Sequence, residues 1–253
     1  RSIFIVFLAV VFVTINALSG AVVDFDFIAA VTDFPSAVVW TVTNFVPSAE
    51  ALDKMPQILT SLVSTILSAV ASSVVGGIFA YILAVLGSRS VGIGDPTSII
   101  VRGIASLFRN IPAVAWSFLL LFSFNQSEFT GFLVLFLGSF GYLTRCFLET
   151  IDEISVGVIE ALRATGASYL QIVVQAVIPL SITSVVSWLL YMVETNIRDA
   201  TLVGILTGTG IGFVFNIYYK SFDYDIAAVI ILCIVVMVIA CEAISNYVRR
   251  QII

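Results

Sequence analysis

One segment of this chain places an arginine deep within otherwise apolar sequence. Arg109 lies seven residues after Arg102, about 10 Å further along a helix, and Asn110 and Pro112 follow it. An arginine at the centre of a membrane helix costs about 2.5–3.5 kcal/mol on insertion scales, so its guanidinium is expected to face a cavity or a partner. Two interpretations remain open. Arg109 lines a pathway for an anion, or it is a structural arginine paired with a carboxylate or a carbonyl.

A second polar segment, 194–199, reads ETNIRD. Glu194 and Arg198 are four residues apart, so they share a helix face if the helix continues. The simplest interpretation is an ion pair at the outer end of a membrane helix. The planar donors of Arg198 also suit a phosphoryl or phosphonyl oxygen, and Asn196 adds a further polar side chain beside them.

Enzyme chemistry has little support in the sequence. The chain contains no His, the commonest general base and metal ligand. The GTGIG segment at 208–212 lacks the strand and helix that a dinucleotide loop requires. No GxxxxGK[ST] pattern occurs, so if ATP drives this protein, another chain binds it. We therefore expect no catalytic residue, no metal and no cofactor in this chain.

Composition identifies a membrane protein. About 60% of the residues are hydrophobic and 11% are charged, and the mean hydropathy is +1.14, whereas soluble proteins are about a quarter charged. The formal net charge of −5 offers no general basic surface for nucleic acid. Because the chain begins at Arg1 rather than Met, we expect further residues before it.

Apolar runs of about 20 residues predict an all-α, polytopic membrane bundle of about six transmembrane helices in a single domain, 1–253, with its core at 58–250. A short interfacial helix is predicted at 37–46, and a Gly-rich polar segment at 194–225 is predicted to connect the last two spans. The predicted spans are 3–18, 58–86, 99–124, 130–148, 172–193 and 226–247.

Basic residues predict the orientation. With six spans, one side of the membrane carries two bases, Lys54 and Lys220. The cytoplasmic side of a membrane protein carries the excess of Lys and Arg, so the other side, with both chain termini and the loop 149–171, is expected to be cytoplasmic. The bases on that side are Arg1, Arg89, Arg145, Arg163, Arg249 and Arg250.

The most informative stretch is 160–179, EALRATGASYLQIVVQAVIP, a polar patch between long apolar segments. Gly166 interrupts a good helix former and can adopt φ > 0, which lets the chain turn sharply. Pro179 is tolerated near a helix start or as a kink in a membrane helix. The stretch therefore predicts two short helices that meet at a bend, the second running into the next span.

This stretch resembles the cytoplasmic EAA loop of ABC importer permeases. Glu160, Ala161, Gly166 and Pro179 occupy the family's fixed positions, whereas the chain departs from the pattern at Leu162, Ala176 and Ile178. In that family the loop docks into a groove on a separate ATPase subunit and transmits its motion. The resemblance implies that the residues contacting the ATPase are Glu160, Ala161, Arg163, Gly166, Ala167 and Ser168. The alternative is a plain interfacial linker.

Two further segments are similar to phosphonate-importer permeases. ETNIRDATLVG at 194–204 resembles their Glu-x-Asn-Val-Arg-x-Ala-Thr-x-x-Gly, and RNIP at 109–112 resembles their Arg-x-Ile-Pro. Their Gly-rich tail appears here with two glycines replaced by Thr207 and Thr209. The resemblance covers about 60–250 and implies a substrate pathway that includes Arg109, Asn196 and Arg198.

The resemblance implies a machine of several chains in a prokaryotic inner membrane. Two permeases, of which the second is expected to be a copy of this chain, would join two ATPase subunits that bind ATP and Mg²⁺ and an extracytoplasmic substrate-binding protein. The solute would be a phosphonate or a related phosphorus oxyanion such as phosphite. Three alternatives stay open: the same machine for methionine or a quaternary amine, a carrier driven by an ion gradient, and a membrane enzyme.

Overall fold

The computed structural model describes residues 2–154 and 156–252, and the chain divides into two compact units, Arg1–Val46 and Pro47–Ile253. The predicted core region, 58–250, lies within the second unit. The described residues form helices and turns, as the sequence predicted, with no strand among them.

The first unit consists of α1 (Ser2–Val23) and α2 (Phe27–Asn44). The prediction of a short helix at 37–46 was wrong, because helix α2 begins ten residues earlier. The Asp26 carboxylate accepts hydrogen bonds from the backbone N–H groups of Ile28 and Ala29, which caps the helix at that point. Pro35 lies inside the helix and does not end it.

The second unit contains ten α-helices among its described residues. They are α3 (Ala49–Asp53), α4 (Met55–Gly87), α5 (Asp95–Asn110), α6 (Ala113–Phe124), α7 (Glu128–Ile154), α8 (Val156–Ala164), α9 (Tyr169–Ile172), α10 (Ile178–Thr207), α11 (Gly210–Lys220) and α12 (Tyr224–Ile252).

Helix α7 lies at the centre of this unit, against α4, α5, α6 and α10. Leu143, Phe147 and Ile151 of α7 are fully buried. Small residues let the helix axes approach closely: a Cβ atom added at Gly76 of α4 would lie 3.0 Å from the Ser139 Cβ of α7.

Five described helical segments are long and apolar enough to cross a membrane, or six if the bent pair α5–α6 counts as one span. The prediction of about six membrane helices is therefore confirmed. Helix α12 has an exposed apolar stripe, because Leu232, Val235, Val236 and Ile239 recur at helical spacing and are all exposed.

Two predicted spans have different shapes in the structure. The predicted span 99–124 is broken into α5 and α6, which meet at 91° at Ile111–Pro112, where Pro112 lacks the N–H that would continue the helix. The predicted polar connection 194–225 was wrong, because α10 continues to Thr207 and α11 follows at once. Three polar side chains of this part of α10 have partners: Glu194 and Arg198 pair with each other, and Asn196 bonds to serines of α4 and α7.

A π-helical turn, Val173–Val177, joins α9 to α10. It closes with a bond from the Ile178 N–H to the Val173 carbonyl, five residues apart. As predicted, the short helix α9 therefore runs into the next span, and Pro179 lies in the first turn of α10.

Candidate functional site

The loop between α7 and α10 has the predicted bend. Helix α8 ends at Ala164 and α9 begins at Tyr169. Gly166 between them has φ +83°, the left-handed conformation that favours glycine. Ser168 caps α9: its backbone N–H and its hydroxyl both donate to Oε1 of Gln171, at 2.8 and 2.9 Å.

This loop presents one polar face and one packed face. Ile159 is buried, and Leu162 and Ala167 pack against the main apolar cluster of the second unit. Five of the six residues predicted to contact an ATPase are exposed; Ala167 is half-buried. The exposed five are Glu160, Ala161, Arg163, Gly166 and Ser168. The face is therefore available to a partner.

The loop borders a cleft of about 490 Å³ beside the turn between α4 and α5. The Arg163 guanidinium Nη2 reaches across and donates to the Ser90 carbonyl at 2.9 Å. The cleft brings together residues from three parts of the chain: Arg89, Ser90, Asp152, Ile159, Glu160 and Arg163.

Asp152, near the end of α7, holds the same turn from the other side. Its Oδ1 accepts hydrogen bonds from the Ser88 hydroxyl at 2.6 Å, the Arg89 backbone N–H at 2.8 Å and the Ser90 hydroxyl at 3.1 Å. Its Oδ2 lies 2.6 Å from the Arg102 Nη2 of α5. A single carboxylate thus joins α7, the α4–α5 turn and α5.

Arg109 lies at the last turn of α5, immediately before the bend. The structure places this part of α5 in backbone contact with α7: a Cβ atom at Gly141 would lie 2.6 Å from the Arg109 backbone nitrogen. The side chain of Arg109 is exposed. Among the described residues, no hydrogen bond or ion pair involves its guanidinium. The structure therefore leaves its donors available to a solute or to another chain.

Asn196 lies in a different environment. It is 2% exposed and is enclosed by α4 and α7. Its Nδ2 donates to the Ser139 hydroxyl at 2.6 Å and to the Ser73 hydroxyl at 2.8 Å, and Ser72 lies at 3.4 Å. These bonds satisfy the amide nitrogen within the bundle and tie α10 to α4 and α7 in this structure.

Arg198 forms the predicted ion pair with Glu194. The Arg198 Nη1 lies 2.8 Å from the Glu194 Oε1, and the two side chains are 45% and 14% exposed. The pair lies in the interior of α10, nine residues before its end at Thr207, and not at the end of a span as predicted. Arg198 is thus partly occupied by a neighbour on its own helix.

Sequence reasoning missed the joint between Asp152 and Arg102. The two residues are fifty positions apart, and no local spacing connects them. The signal available was the pair of charges itself, since Arg102 and Asp152 lie near the ends of apolar segments where each would need a partner.

Comparison with known proteins places the chain in a family. Residues 76–253 match the family described as binding-protein-dependent transport system inner membrane component. The chain is 24% identical over 220 residues to the phosphate-import permease protein PhnE of Mycolicibacterium smegmatis. These residues make up 87% of this chain and 41% of that relative's length. The chain thus spans less than half of that relative.

Two other relatives are named for phosphorus compounds. The phosphite transport system permease protein PtxC of Stutzerimonas stutzeri is 25% identical over 75% of this chain and 69% of its own length. The putative cryptic phosphonate transport system permease protein PhnE2 of Escherichia coli is 31% identical over 48% of this chain and 99% of its own length.

Solved structures share the fold. The inward-facing MetNI methionine ABC transporter matches with a TM-score of 0.64 at 21% identity, over 78% of this chain and 98% of that one. An amino acid ABC transporter crystallised with histidines matches with a TM-score of 0.68 at 15% identity, over 81% and 99%. With the family match over 76–253, the polytopic bundle and the bent loop, the chain belongs to the family of inner membrane components of binding-protein-dependent transport systems.

Proposed function

We propose that this chain is the membrane-spanning permease subunit of an ATP-driven importer for phosphorus oxyanions, with phosphonates and phosphite as the principal solutes. The observation that carries the proposal is that three relatives, two of them aligned over three quarters or more of this chain, are named for phosphate, phosphite and phosphonate transport. These solutes share a phosphorus centre with anionic oxygens.

The partners follow from the same proposal. The exposed face of the loop 149–171 would dock on an ATPase subunit that binds ATP and Mg²⁺, through Glu160, Arg163 and the residues around Gly166. A second copy of this chain would complete the pathway, and an extracytoplasmic binding protein would deliver the solute. The loop and both termini would then be cytoplasmic, in agreement with the distribution of basic residues.

Arg109 is the residue we favour for contact with the anion. Its guanidinium is exposed and without a partner among the described residues, whereas Arg198 is paired with Glu194 and Asn196 is enclosed. Planar guanidinium donors suit the oxygens of a tetrahedral oxyanion. The bend between α5 and α6 places Arg109 at a break in a span, where an ionisable group in a membrane protein commonly lines a pathway.

The experiment is uptake by proteoliposomes that contain the permease, its ATPase and its binding protein, with ATP on the ATPase side. The solutes are methylphosphonate, phosphite, phosphate, methionine and betaine. Arg109→Ala is expected to lower uptake of the phosphorus compounds about tenfold, the loss of one charge-assisted contact. The control is the double variant Glu194→Gln, Arg198→Gln, which removes both charges of the α10 pair and is expected to transport nearly normally.

Other outcomes would redirect the proposal. ATP-dependent uptake of methionine or betaine alone would keep the machine and replace the solute; one methionine permease relative is 24% identical over 46% of this chain. Uptake that needs an ion gradient but no ATPase would contradict the ATP-driven mechanism. Normal transport by the Arg109→Ala variant would remove Arg109 from the pathway.

A further inference from the structure

The Asp152 carboxylate connects three elements that the sequence keeps far apart. It binds the α4–α5 turn through Ser88, Arg89 and Ser90 and binds α5 through Arg102. The Arg102 and Asp152 side chains are 19% and 21% exposed, so the pair is largely shielded from solvent. Hydrogen bonds between charged partners are roughly twice as strong as neutral ones, so this joint resists separation.

Helix α8, which follows α7, reaches the same joint. Arg163 of α8 donates to the Ser90 carbonyl at 2.9 Å, while Ser90 itself donates its hydroxyl to Asp152 at 3.1 Å. A displacement of α8 therefore pulls on a turn that is also fixed to α7 and α5. Ile159 and Leu162 add apolar contacts from α8 to the main cluster, which keeps the loop seated.

Helix α5 carries the connection to the candidate pathway. Arg102 and Arg109 are seven residues apart on one helix, two turns that bring them back to nearly the same face. A helix of this length moves as a rigid element, so a displacement at Arg102 reaches Arg109 at the α5–α6 bend.

We propose that Asp152 is the positioning residue that transmits movement of α8 and α9, the part of the loop after α7, to Arg109, through the α4–α5 turn and the Arg102 end of α5. This inference rests on the proposed function, because the loop needs an ATPase to move it. It assigns to Asp152 and Arg102 a role in coupling, distinct from contact with the solute and from docking of the ATPase.

The first test compares uptake with ATP hydrolysis in the reconstituted complex. Asp152→Asn keeps the shape and an oxygen acceptor but loses the charge that holds Arg102. We expect the solute transported per ATP hydrolysed to fall about tenfold, while hydrolysis continues and the complex remains assembled. Asp152→Glu retains the carboxylate and is expected to keep most of the transport per ATP hydrolysed.

The matched control is Glu149→Gln. Glu149 lies on the same helix, one turn before Asp152, and its ion pair with Arg145 joins two residues of α7 only. Removing that pair leaves the connection between α7 and α5 intact, so the ratio of transport to hydrolysis is expected to stay normal. An equal loss in both variants would mean that any charge removed from this end of α7 impairs the complex, and the inference would be abandoned.

A second test does not depend on the solute. Spin labels are placed at Thr165→Cys in the loop and Gly103→Cys on α5, in a variant whose three native cysteines are replaced; a side chain at Gly103 meets nothing within 4 Å. The labelled chain is diluted with unlabelled chain, and the distance between the labels is measured with and without ATP. We expect it to stay constant in the otherwise unmodified chain and to change on addition of ATP in Asp152→Asn.

The outcomes separate the two proposals. A constant distance in Asp152→Asn, with normal transport per ATP, overturns the role of Asp152 and leaves the importer intact. If the label-to-label distances behave as expected but the complex takes up a different solute, the role of Asp152 is supported and the proposed substrate is wrong. A complex in which ATP drives no uptake of any solute, in the unmodified chain or in Asp152→Asn, contradicts the ATP-driven function itself.

Discussion

Two polar clusters of the second unit fix the same helix α7 by different means. At the middle of the bundle, Asn196 is enclosed by Ser72, Ser73 and Ser139, and the three serines are fully buried. At the end of α7, Asp152 and Arg102 form a charged pair that keeps about a fifth of its surface exposed. The first cluster is neutral and enclosed, and the second is charged and borders a cleft.

The difference follows from the cost of burying polar groups. A neutral amide can lie in the interior when its hydrogen bonds are satisfied, whereas a charge is far more costly to bury. Each serine also donates to a carbonyl of its own helix, as Ser73 does to Ala69 at 2.7 Å. The middle cluster is therefore suited to hold the helices together, and the Asp152 cluster is suited to move as a unit with its neighbours.

The largest effect on stability is expected from Gly141→Ala, at the middle of α7. The added Cβ would lie 2.6 Å from the Arg109 backbone nitrogen and 2.7 Å from the Phe108 Cβ, so α5 must shift away. Overpacking of this kind costs about 3 kcal/mol. Thermal denaturation in detergent measures the loss. Gly138→Ala, one turn away and with nothing within 4 Å, is expected to be neutral, and an equal loss there would refute the close α5–α7 contact.

A smaller effect is expected from Asn196→Leu. The substitution leaves the Ser73 and Ser139 hydroxyls without their donor, at a cost of about 1–2 kcal/mol. Transport per ATP hydrolysed should remain normal in the molecules that stay folded, whereas the Asp152 variant is expected to lower it. The control is Thr195→Val, because among the described residues the Thr195 hydroxyl bonds only to the Tyr191 carbonyl of its own helix. A coupling defect in Asn196→Leu would erase the distinction between the two clusters.

The smallest effect on stability is expected from Gly166→Ala, in the loop beside the Asp152 cluster. Nothing lies within 4 Å of the added Cβ, but φ of +83° strains any other residue, at a cost of about 1 kcal/mol. We expect weaker binding of the ATPase, measured as the fraction that co-purifies with the permease. The control is Gly157→Ala in α8, where the added Cβ also meets nothing within 4 Å and the backbone has no positive φ. Equal binding of the ATPase by the two variants would contradict a role for the left-handed conformation of Gly166.

Much of the loop could be predicted because its signals are local. Gly166 and Pro179 each act on neighbouring backbone groups, and the structure has the bend and the helix start where these residues indicate them; the cap that Ser168 and Gln171 form is equally local. The Glu194–Arg198 pair was predictable for the same reason, since four residues define one helix face.

The rest depends on contacts between distant segments. Polarity at Glu194, Asn196 and Arg198 indicated a connection between spans, yet the helix continues because a pair on its own face and three serines from α4 and α7 receive these side chains. The joint between Arg102 and Asp152 has the same origin. Periodicity and composition carry no information about such partners.

The π-helical turn Val173–Val177 has a consequence for alignment of the chain. A π turn accommodates one residue more than an α turn, so it acts as an insertion that rotates everything before it by about 100° relative to α10. Deleting one residue from 173–177 would restore a regular helix and swing α9 and the loop to another face of the span. The direction in which the loop points is therefore set by the number of residues in the turn. If the exposed face of the loop docks on an ATPase as proposed, the deletion would turn that face away while retaining all of its side chains.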